Sequence, residues 1–302
     1  MGTPEAAAKT LQRLIANGHE VVAVYTQPDR PAGRGKHIAM SPVKELALTH
    51  GLRICQPFKI KTPEALEEFR LHNADVAVVV AYGRILPETF LTAFKYGALN
   101  VHFSLLSKYR GAAPANWAIV NGETETGITV MQMDAGLDTG DILCQRSTSI
   151  GASETSIELM QRLGDLGAEL ISEALAQIDT LTPIKQDDAA ATLAPIMKKE
   201  DGLIDWHRTA TEIERRIRGF QPFPSSYTFH DGSRLTIWKA EPIDASSEQP
   251  GEIIEAASDR LVVACGQSTA LRILEIQPEG KRRMPIRDFL NGSKIEIGNV
   301  LR

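Results

Sequence analysis

The sequence predicts an α/β domain built on a parallel sheet, followed by a smaller, all-β domain. Three observations carry this reading. Continuous apolar runs at 20–26 (EVVAVYT) and 75–82 (DVAVVVAY) have the length and β-branched content of strands buried on both faces. Helices with clear start signals separate them, since Ser41-Pro42 and Thr62-Pro63-Glu64 each join an N-cap to a proline at the first helical position. Beyond residue 202 the pattern changes to short strands divided by Gly, Pro and Asp turns, as in a small antiparallel barrel.

Taken in order, 2–5 form a turn into a helix over 6–17, ended by Gly18. In an α/β domain such a turn follows a strand, and none precedes it here. The expectation is that an apolar strand lies upstream of Met1, so that the sheet as given lacks its first, central strand. The strand at 20–26 leads into a loop over 27–40, broken by Pro28, Pro31, Gly33 and Gly35 and carrying Arg30, Arg34, Lys36 and His37. A helix at 41–51, a strand at 52–56, a helix at 62–73 and the strand at 75–82 follow. Next come the turn Gly83–Pro87, a helix at 88–94 and a short strand ending at His102. A helix at 114–121, strands at 127–133 and 142–150, and a long amphipathic helix from residue 153 complete the domain.

Domain boundaries are expected from the same pattern: 1–178 is the first domain, 179–202 a linker marked by Pro183, Asp187-Asp188 and Pro195, and 203–302 the second domain. That last segment opens with an amphipathic helix at 209–220, Ile213, Ile217 and Phe220 forming its apolar side and Arg215, Arg216 and Arg218 its exposed one. Strands are expected at 226–230, 234–240, 251–256, 260–264 and 270–277. The basic triplet Lys281-Arg282-Arg283 and a short helix at 286–290 come after them.

The composition sets further bounds. With 302 residues, 43% apolar and 24% charged, the chain is long enough for two domains that each bury a core. No apolar run approaches the ~20 residues that cross a bilayer, and the start lacks the basic-then-apolar pattern of a secretory signal. Cys55, Cys144 and Cys265 are too far apart to read as a zinc motif or disulfide framework. They are expected as small buried hydrophobes in a cytoplasmic protein. The net charge is −5, all of it on residues 1–202, so contact with a nucleic acid would have to use local basic clusters.

Chemistry concentrates between Gly97 and Asp141. Asn100 and His102 alternate along a strand and therefore project from one face. Asp138 sits in the Gly-bracketed loop Gly136–Gly140, directly after another strand. Ligands of open α/β sheets bind at the carboxyl ends of strands, where these groups should converge. An amide that donates to an oxyanion, an imidazole that moves a proton near neutral pH and a carboxylate that orients it suit acyl transfer without a covalent intermediate. The same spacing is also found in turn-forming asparagines and hydrogen-bonded histidines without catalytic roles.

Asn100-Val101-His102, Ser104-Leu105-Leu106 and Leu137-Asp138-Thr139-Gly140 resemble the signature of formyltransferases that use 10-formyltetrahydrofolate. Gln27–Lys36 (QPDRPAGRGK) and Tyr109–Pro114 (YRGAAP) resemble the methionyl-tRNA formyltransferase branch of that family. The resemblance implies a Rossmann-like parallel-sheet catalytic domain and a C-terminal domain of the oligonucleotide-binding (OB) barrel type. It implies Asn100, His102 and Asp138 as catalytic residues. A folate pocket between the 83–87 turn and the 134–138 loop follows too, with Ile85, Leu86, Ser104, Leu105, Leu106 and Ser107 lining it. Arg30, Arg34 and Lys36 would meet the acceptor stem of initiator methionyl-tRNA, with Arg215, Arg216, Lys281 and Arg282 as further tRNA contacts. The implied enzyme needs no metal and works as a monomer, and the family carries the missing first strand. Phe103 and Ser107 depart from the family pattern, which favours a small residue or Pro at the first and Pro at the second. A bulky ring would narrow the site, and the loss of Pro would loosen the loop. Sugar-nucleotide and glycinamide formyltransferases and folate hydrolases would share the triad, and a non-catalytic binding module would follow if the sheet lacked its first strand.

Overall fold

The computed structural model describes residues 1–32, 37–245 and 249–302. The chain forms two compact units. The first comprises Met1–Pro114, Glu125–Ser149 and Leu159–Ala194, and the second Ala115–Thr124, Ile150–Glu158 and Pro195–Arg302. Residues 179–194, expected as linker, thus fall within the first unit, where Ile184 bridges to Ile142 and Leu193–Ala194 pairs with Arg110–Gly111.

In the first unit, helix α1 (Glu5–Ala16) precedes strand β1 (Val24–Tyr25), which pairs in parallel with β2 (Ile54–Cys55). Between them, α2 (Pro42–Thr49) starts where predicted, the Ser41 hydroxyl accepting from the Lys44 amide at 3.1 Å. Helix α3 (Pro63–Leu71) repeats the device through Thr62 and Ala65. Strand β3 (Ala77–Val79) runs parallel to β4 (Ala98–His102). Antiparallel β5 (Glu125–Gln132) and β6 (Ile142–Ser149) extend that sheet.

β1 and β3 are far shorter than the apolar runs that contain them, and the reason is pairing. Between them lie only Met1 and Gly2. Gly2 donates to the Tyr25 carbonyl at 2.9 Å, Met1 donates to Val78 at 2.7 Å, and Val80 donates to the Met1 carbonyl at 2.9 Å. Below these two residues the facing edges enclose a cavity of ≈ 500 Å³, lined in part by Val22, Ala23, Val76 and Val78. Without a ladder there, the rest of each apolar run is not assigned to a strand.

The back of β4 is held by a close approach. Helix α4 (Ser156–Ala176) passes so near that a Cβ on Gly167 would lie 2.8 Å from Val101 Cγ1. Val101 alternates with Asn100 and His102, so packing of its face directs those two to the opposite one. A second cluster, with Phe69, Phe90, Leu91 and Tyr25, packs beneath β3; the Phe69 and Phe90 ring centroids are 4.8 Å apart.

The second unit is a six-stranded antiparallel sheet. Its continuous path runs Ser226–His230, Ser233–Ile243, Thr269–Pro278, Arg260–Cys265, Ile253–Ala257, and Met284–Pro285 adds to the third of these strands. The C-terminal residues 299–302 join the two ends of that path: Phe229 and Arg302 exchange backbone hydrogen bonds at 2.7 and 3.0 Å, and Ile253 and Leu301 donate to the Asn299 and Gly251 carbonyls at 2.8 Å each. Helix Ala210–Gly219, with the Thr209/Glu212 capping box, buries Ile213 and Ile217 against the sheet core.

Phe90 is buried with aromatic partners on one side and the sheet on the other. Phe90→Ala should therefore cost about 3–5 kcal/mol. Denaturant unfolding checks this, and a loss below about 1 kcal/mol would show that the cluster is not a cohesive core.

Candidate active site

Strand β4 delivers both polar residues of the alternation, and its register sets their neighbours: Asn100 lies opposite Met131, and His102 opposite Thr129. Asn100 is half-buried at the strand face, whereas His102 is only 5% exposed. His102 Nε2 lies 2.9 Å from the Tyr109 carbonyl oxygen, and Nδ1 lies 3.7 Å from Asp138 Oδ2. A carbonyl can only accept, so Nε2 carries the hydrogen, and in the neutral ring Nδ1 carries the lone pair. Burial pushes the His102 pKa below its ordinary value, opposed by the charge of Asp138 and by the Tyr109 hydrogen bond. The ring rests neutral beside a carboxylate that stabilises it once protonated.

Asp138 adopts a left-handed conformation (φ 53°), which Asp tolerates better than most residues, and its Oδ2 accepts from the Gly111 amide at 2.9 Å. Gly111 has φ 129°, and a Cβ there would meet the Ala194 carbonyl oxygen at 2.5 Å, so only glycine brings that amide to Asp138.

The loop between His102 and Tyr109 is tied from several sides. Thr129 Oγ1 donates to the Ser104 carbonyl at 2.7 Å and accepts from the Leu106 amide at 3.0 Å. Gln145 donates to the Leu106 carbonyl at 2.7 Å, and Ser104 Oγ to the Lys108 carbonyl at 2.6 Å. The Leu106–Ser107 peptide is cis. The loosening expected from Ser107 in place of Pro is thus countered by hydrogen bonds, and the Phe103 ring is buried in the core. Leu105 and Ser107 are half-buried on this loop, whereas Ser104 and Leu106 are buried.

In the turn after β3, Leu86 is buried but Ile85 is 73% exposed, and Leu137 in the Asp138 loop is 61% exposed. β3 and β4 are parallel neighbours, so the turn and the catalytic loop leave the sheet at the same end. Exposed aliphatic groups there suit an aromatic ligand.

Gln186 carries no signal in the sequence, because it stands in a stretch without periodicity. It is 6% exposed, and its amide nitrogen donates to the carbonyls of Asp138 and Gly140 at 2.9 and 2.7 Å. Its oxygen accepts from Arg110 Nε and a terminal nitrogen at 3.0 and 2.8 Å, and Arg110 also pairs with Asp188 at 2.7 Å. One amide thereby joins the Asp138 loop to the strand after the catalytic loop.

The predicted nucleic-acid contacts fall into different environments. Arg34 and Lys36 lie outside the described residues. Arg30 begins a short hairpin and contacts Gln27 Oε1 at 3.5 Å. The arginines of helix Ala210–Gly219 do not form the exposed face that their spacing suggests. Arg216 is half-buried over the Phe220 ring (4.7 Å) and donates to the Asp201 carbonyl, and Arg218 is bonded to Glu214 and the Glu154 carbonyl. Arg215 lies half-buried against Gly122. Lys281 and Arg282 are exposed, while Arg283 pairs with Glu275. Long side chains cover neighbouring apolar surface, which spacing alone does not reveal. Cys55 is buried as expected, and among the described residues Cys55, Glu68 and His72 place possible ligand atoms within 4.8 Å of one another. They come from separate elements, so no sequence motif marks them.

A strand-end Asn-x-His with a facing Asp, on an α/β sheet followed by an antiparallel domain, is an arrangement suited to acyl transfer without a covalent intermediate. The sequence model described as formyl transferase matches residues 1–175, and that described as formyl transferase, C-terminal domain, matches 196–294. The chain belongs to the formyltransferase family. A methionyl-tRNA formyltransferase of Citrifermentans bemidjiense is 51% identical over 303 residues, covering 100% of this chain and 95% of the relative. One from Caldanaerobacter subterraneus is 52% identical, covering 100% and 98%. Among solved structures, the N-formyltransferase from Helicobacter canadensis, in complex with folinic acid and dTDP-3-aminofucose, shares the fold. Its TM-score is 0.67 at 19% identity, over 92% of this chain and 97% of that one. HypX from Aquifex aeolicus, in complex with tetrahydrofolic acid, aligns with a TM-score of 0.59 at 18% identity, over 84% of this chain and 47% of its own.

Gln186→Leu should leave the fold intact but release the Asp138 loop. A displacement of about 1 Å at a catalytic group costs up to about 10²-fold in rate. The expected result is a kcat reduced about 10- to 100-fold with folate KM little changed, whereas an unchanged kcat would show that the loop holds itself.

Proposed function

We propose that this chain transfers the formyl group of 10-formyltetrahydrofolate to the α-amino group of methionyl-tRNA, with the initiator tRNA as its preferred acceptor. The observation that carries the reading is the juxtaposition of Asn100, His102 and Asp138 at the end of one strand, in a chain about half identical to methionyl-tRNA formyltransferases over its whole length. The folate is a co-substrate that supplies the activated formyl carbon, and the step requires no metal.

Each residue has a defined part. Asn100, half-buried on the open face of β4, donates its amide to the formyl oxygen as negative charge develops there. His102 Nδ1 takes a proton from the attacking amine and returns one to the departing folate nitrogen, so no net proton is lost. Asp138 stabilises the transient imidazolium and, through the Gly111 amide, is itself fixed. Ile85, Leu86 and the Ser104–Ser107 loop form the folate contact. Arg30, Arg34 and Lys36 read the acceptor stem, while Lys281 and Arg282, with Arg215, meet phosphates. Arg216 has a structural part, because its guanidinium is already engaged. The C-terminal segment 203–302 is the tRNA-binding domain. The catalytic groups all come from one chain, and the enzyme acts as a cytoplasmic monomer.

The direct test is formyl transfer to charged initiator tRNA, with elongator methionyl-tRNA and water as comparison acceptors; equal transfer to water would point to a hydrolase. His102→Ala and Asp138→Asn should each lower kcat about 10²-fold or more with modest change in KM. Near-normal turnover in either removes the assignment.

The pH profile has a definite sign. The active form is the neutral imidazole, present above the His102 pKa, and burial lowers that pKa below 6.5. Activity should hold down through neutral pH and fall only on the acid side of 6.5. Asp138→Asn, which removes the charge that raises the pKa, should shift this limb to still lower pH. A limb above 6.5 would contradict the assignment.

Arg34→Ala should reduce the preference for initiator over elongator tRNA with folate affinity intact, because a guanidinium between glycines can reach base edges. Neutralising Lys281 or Arg282 should instead weaken binding of all tRNAs alike. The salt slope should fall by about one unit for each phosphate interaction removed. Unchanged preference in the first variant would give the loop another role.

A further inference from the structure

Away from the catalytic centre, the first unit assembles three side chains of different chemistry at one point. Cys55 ends β2, and Glu68 and His72 stand four residues apart on α3 and its C-cap, so they share a helical face. Cys55 Sγ lies 3.7 Å from Glu68 Oε1 and 3.9 Å from His72 Nε2. We propose that Cys55, Glu68 and His72 form a binding site for one divalent transition-metal ion of the zinc type.

Geometry comes first. A tetrahedral ion with metal–sulfur bonds of about 2.3 Å and metal–nitrogen or –oxygen bonds of about 2.0 Å holds its ligand atoms about 3.5 Å apart. The two sulfur-centred separations exceed that by only a few tenths of an ångström, and the third pair is within 4.8 Å. Small rotations of two surface-reaching side chains close the set.

The donor chemistry selects the ion. Thiolate and imidazole favour zinc over calcium or magnesium, which take oxygen ligands. Thiolate and carboxylate together carry two negative charges and neutralise a dication. Burial keeps the Cys55 thiol protonated and the His72 ring neutral in the empty site. Binding therefore releases one proton, from the thiol to solvent, and needs none from the imidazole. The Tyr25 hydroxyl, 3.0 Å from His72 Nε2, is kept protonated by burial. In the empty site it can donate to the single lone pair of that nitrogen, so the Tyr25 hydroxyl must turn away for Nε2 to bind the ion. A water takes the fourth position. Arg53, 3.3 Å from the Glu68 carboxylate, supplies the outer hydrogen bond that orients such ligands.

The site also has an entry path, because Glu68 is exposed and His72 half-exposed. An ion there would cross-link α3 to β2, a strand that otherwise pairs with only two residues of β1. It plays no part in formyl transfer as derived above.

Titration of the full chain with Co²⁺ tests the proposal without reference to activity. The expected result is one equivalent bound with tetrahedral visible bands and a thiolate-to-cobalt absorption in the near ultraviolet. Cys55→Ser should abolish the thiolate band, His72→Gln should weaken Co²⁺ binding at least about 10-fold, and Cys144→Ser should change neither. Unfolding curves of the two ligand variants in chelator, matching the parent, confirm that they fold. Absence of one-equivalent binding, a thiolate band that survives Cys55→Ser, or one abolished in Cys144→Ser would overturn the proposal.

Discussion

The hydrogen bond from His102 Nε2 to the Tyr109 carbonyl governs what the loop between these two residues can do. It fixes which imidazole nitrogen is free. For the bond to form, the chain must return to its starting point within seven residues. Thr129 and Gln145, from the two antiparallel strands, hold the loop in that return path by bonding its Ser104 and Leu106 backbone. Tyr109 completes it in a left-handed conformation (φ 62°), with its amide donating to Thr192 at 2.8 Å. The mixed sheet is thus part of the site: two strands outside the loop help to fix the tautomer of His102.

Two opposed effects then set the charge of His102. Burial favours the neutral ring and Asp138 favours the imidazolium, with burial the larger. The proposed role of His102, to accept a proton and give it up in the same turnover, benefits from this balance. In the resting site Nδ1 keeps its lone pair. Once a proton arrives, attraction to a carboxylate about 4 Å away is worth about 4 kcal/mol in a medium of intermediate polarity. The carboxylate is itself held by a backbone amide that only a glycine can bring close, so little reorganisation accompanies the transfer.

Much of this was legible in the residues. Period-two alternation at Asn100 and His102 and the N-caps at Ser41 and Thr62 are local signals, and the structure places each as read. What could not be read depends on partners distant in sequence. The strand-like runs at 20–26 and 75–82 make short ladders, because ladder length belongs to a pair and not to a strand. Gln186 was hidden in an aperiodic stretch, and its role exists only through Arg110 and the Asp138 loop. Arg216 and Arg218 looked like a solvated face, yet their aliphatic stems and guanidinium groups are engaged locally. Cys55 read as an isolated hydrophobe until the fold set it beside Glu68 and His72.

The central claim is that a carbonyl partner leaves His102 neutral with its lone pair on Nδ1, facing Asp138. Nitrogen-15 NMR of imidazole-labelled protein, assigned by loss of the signal in His102→Gln, reports this directly. At neutral pH the account predicts a neutral ring with a protonated Nε2 and an unprotonated Nδ1. A ring protonated at Nδ1, whether as the other tautomer or as the imidazolium, would contradict it.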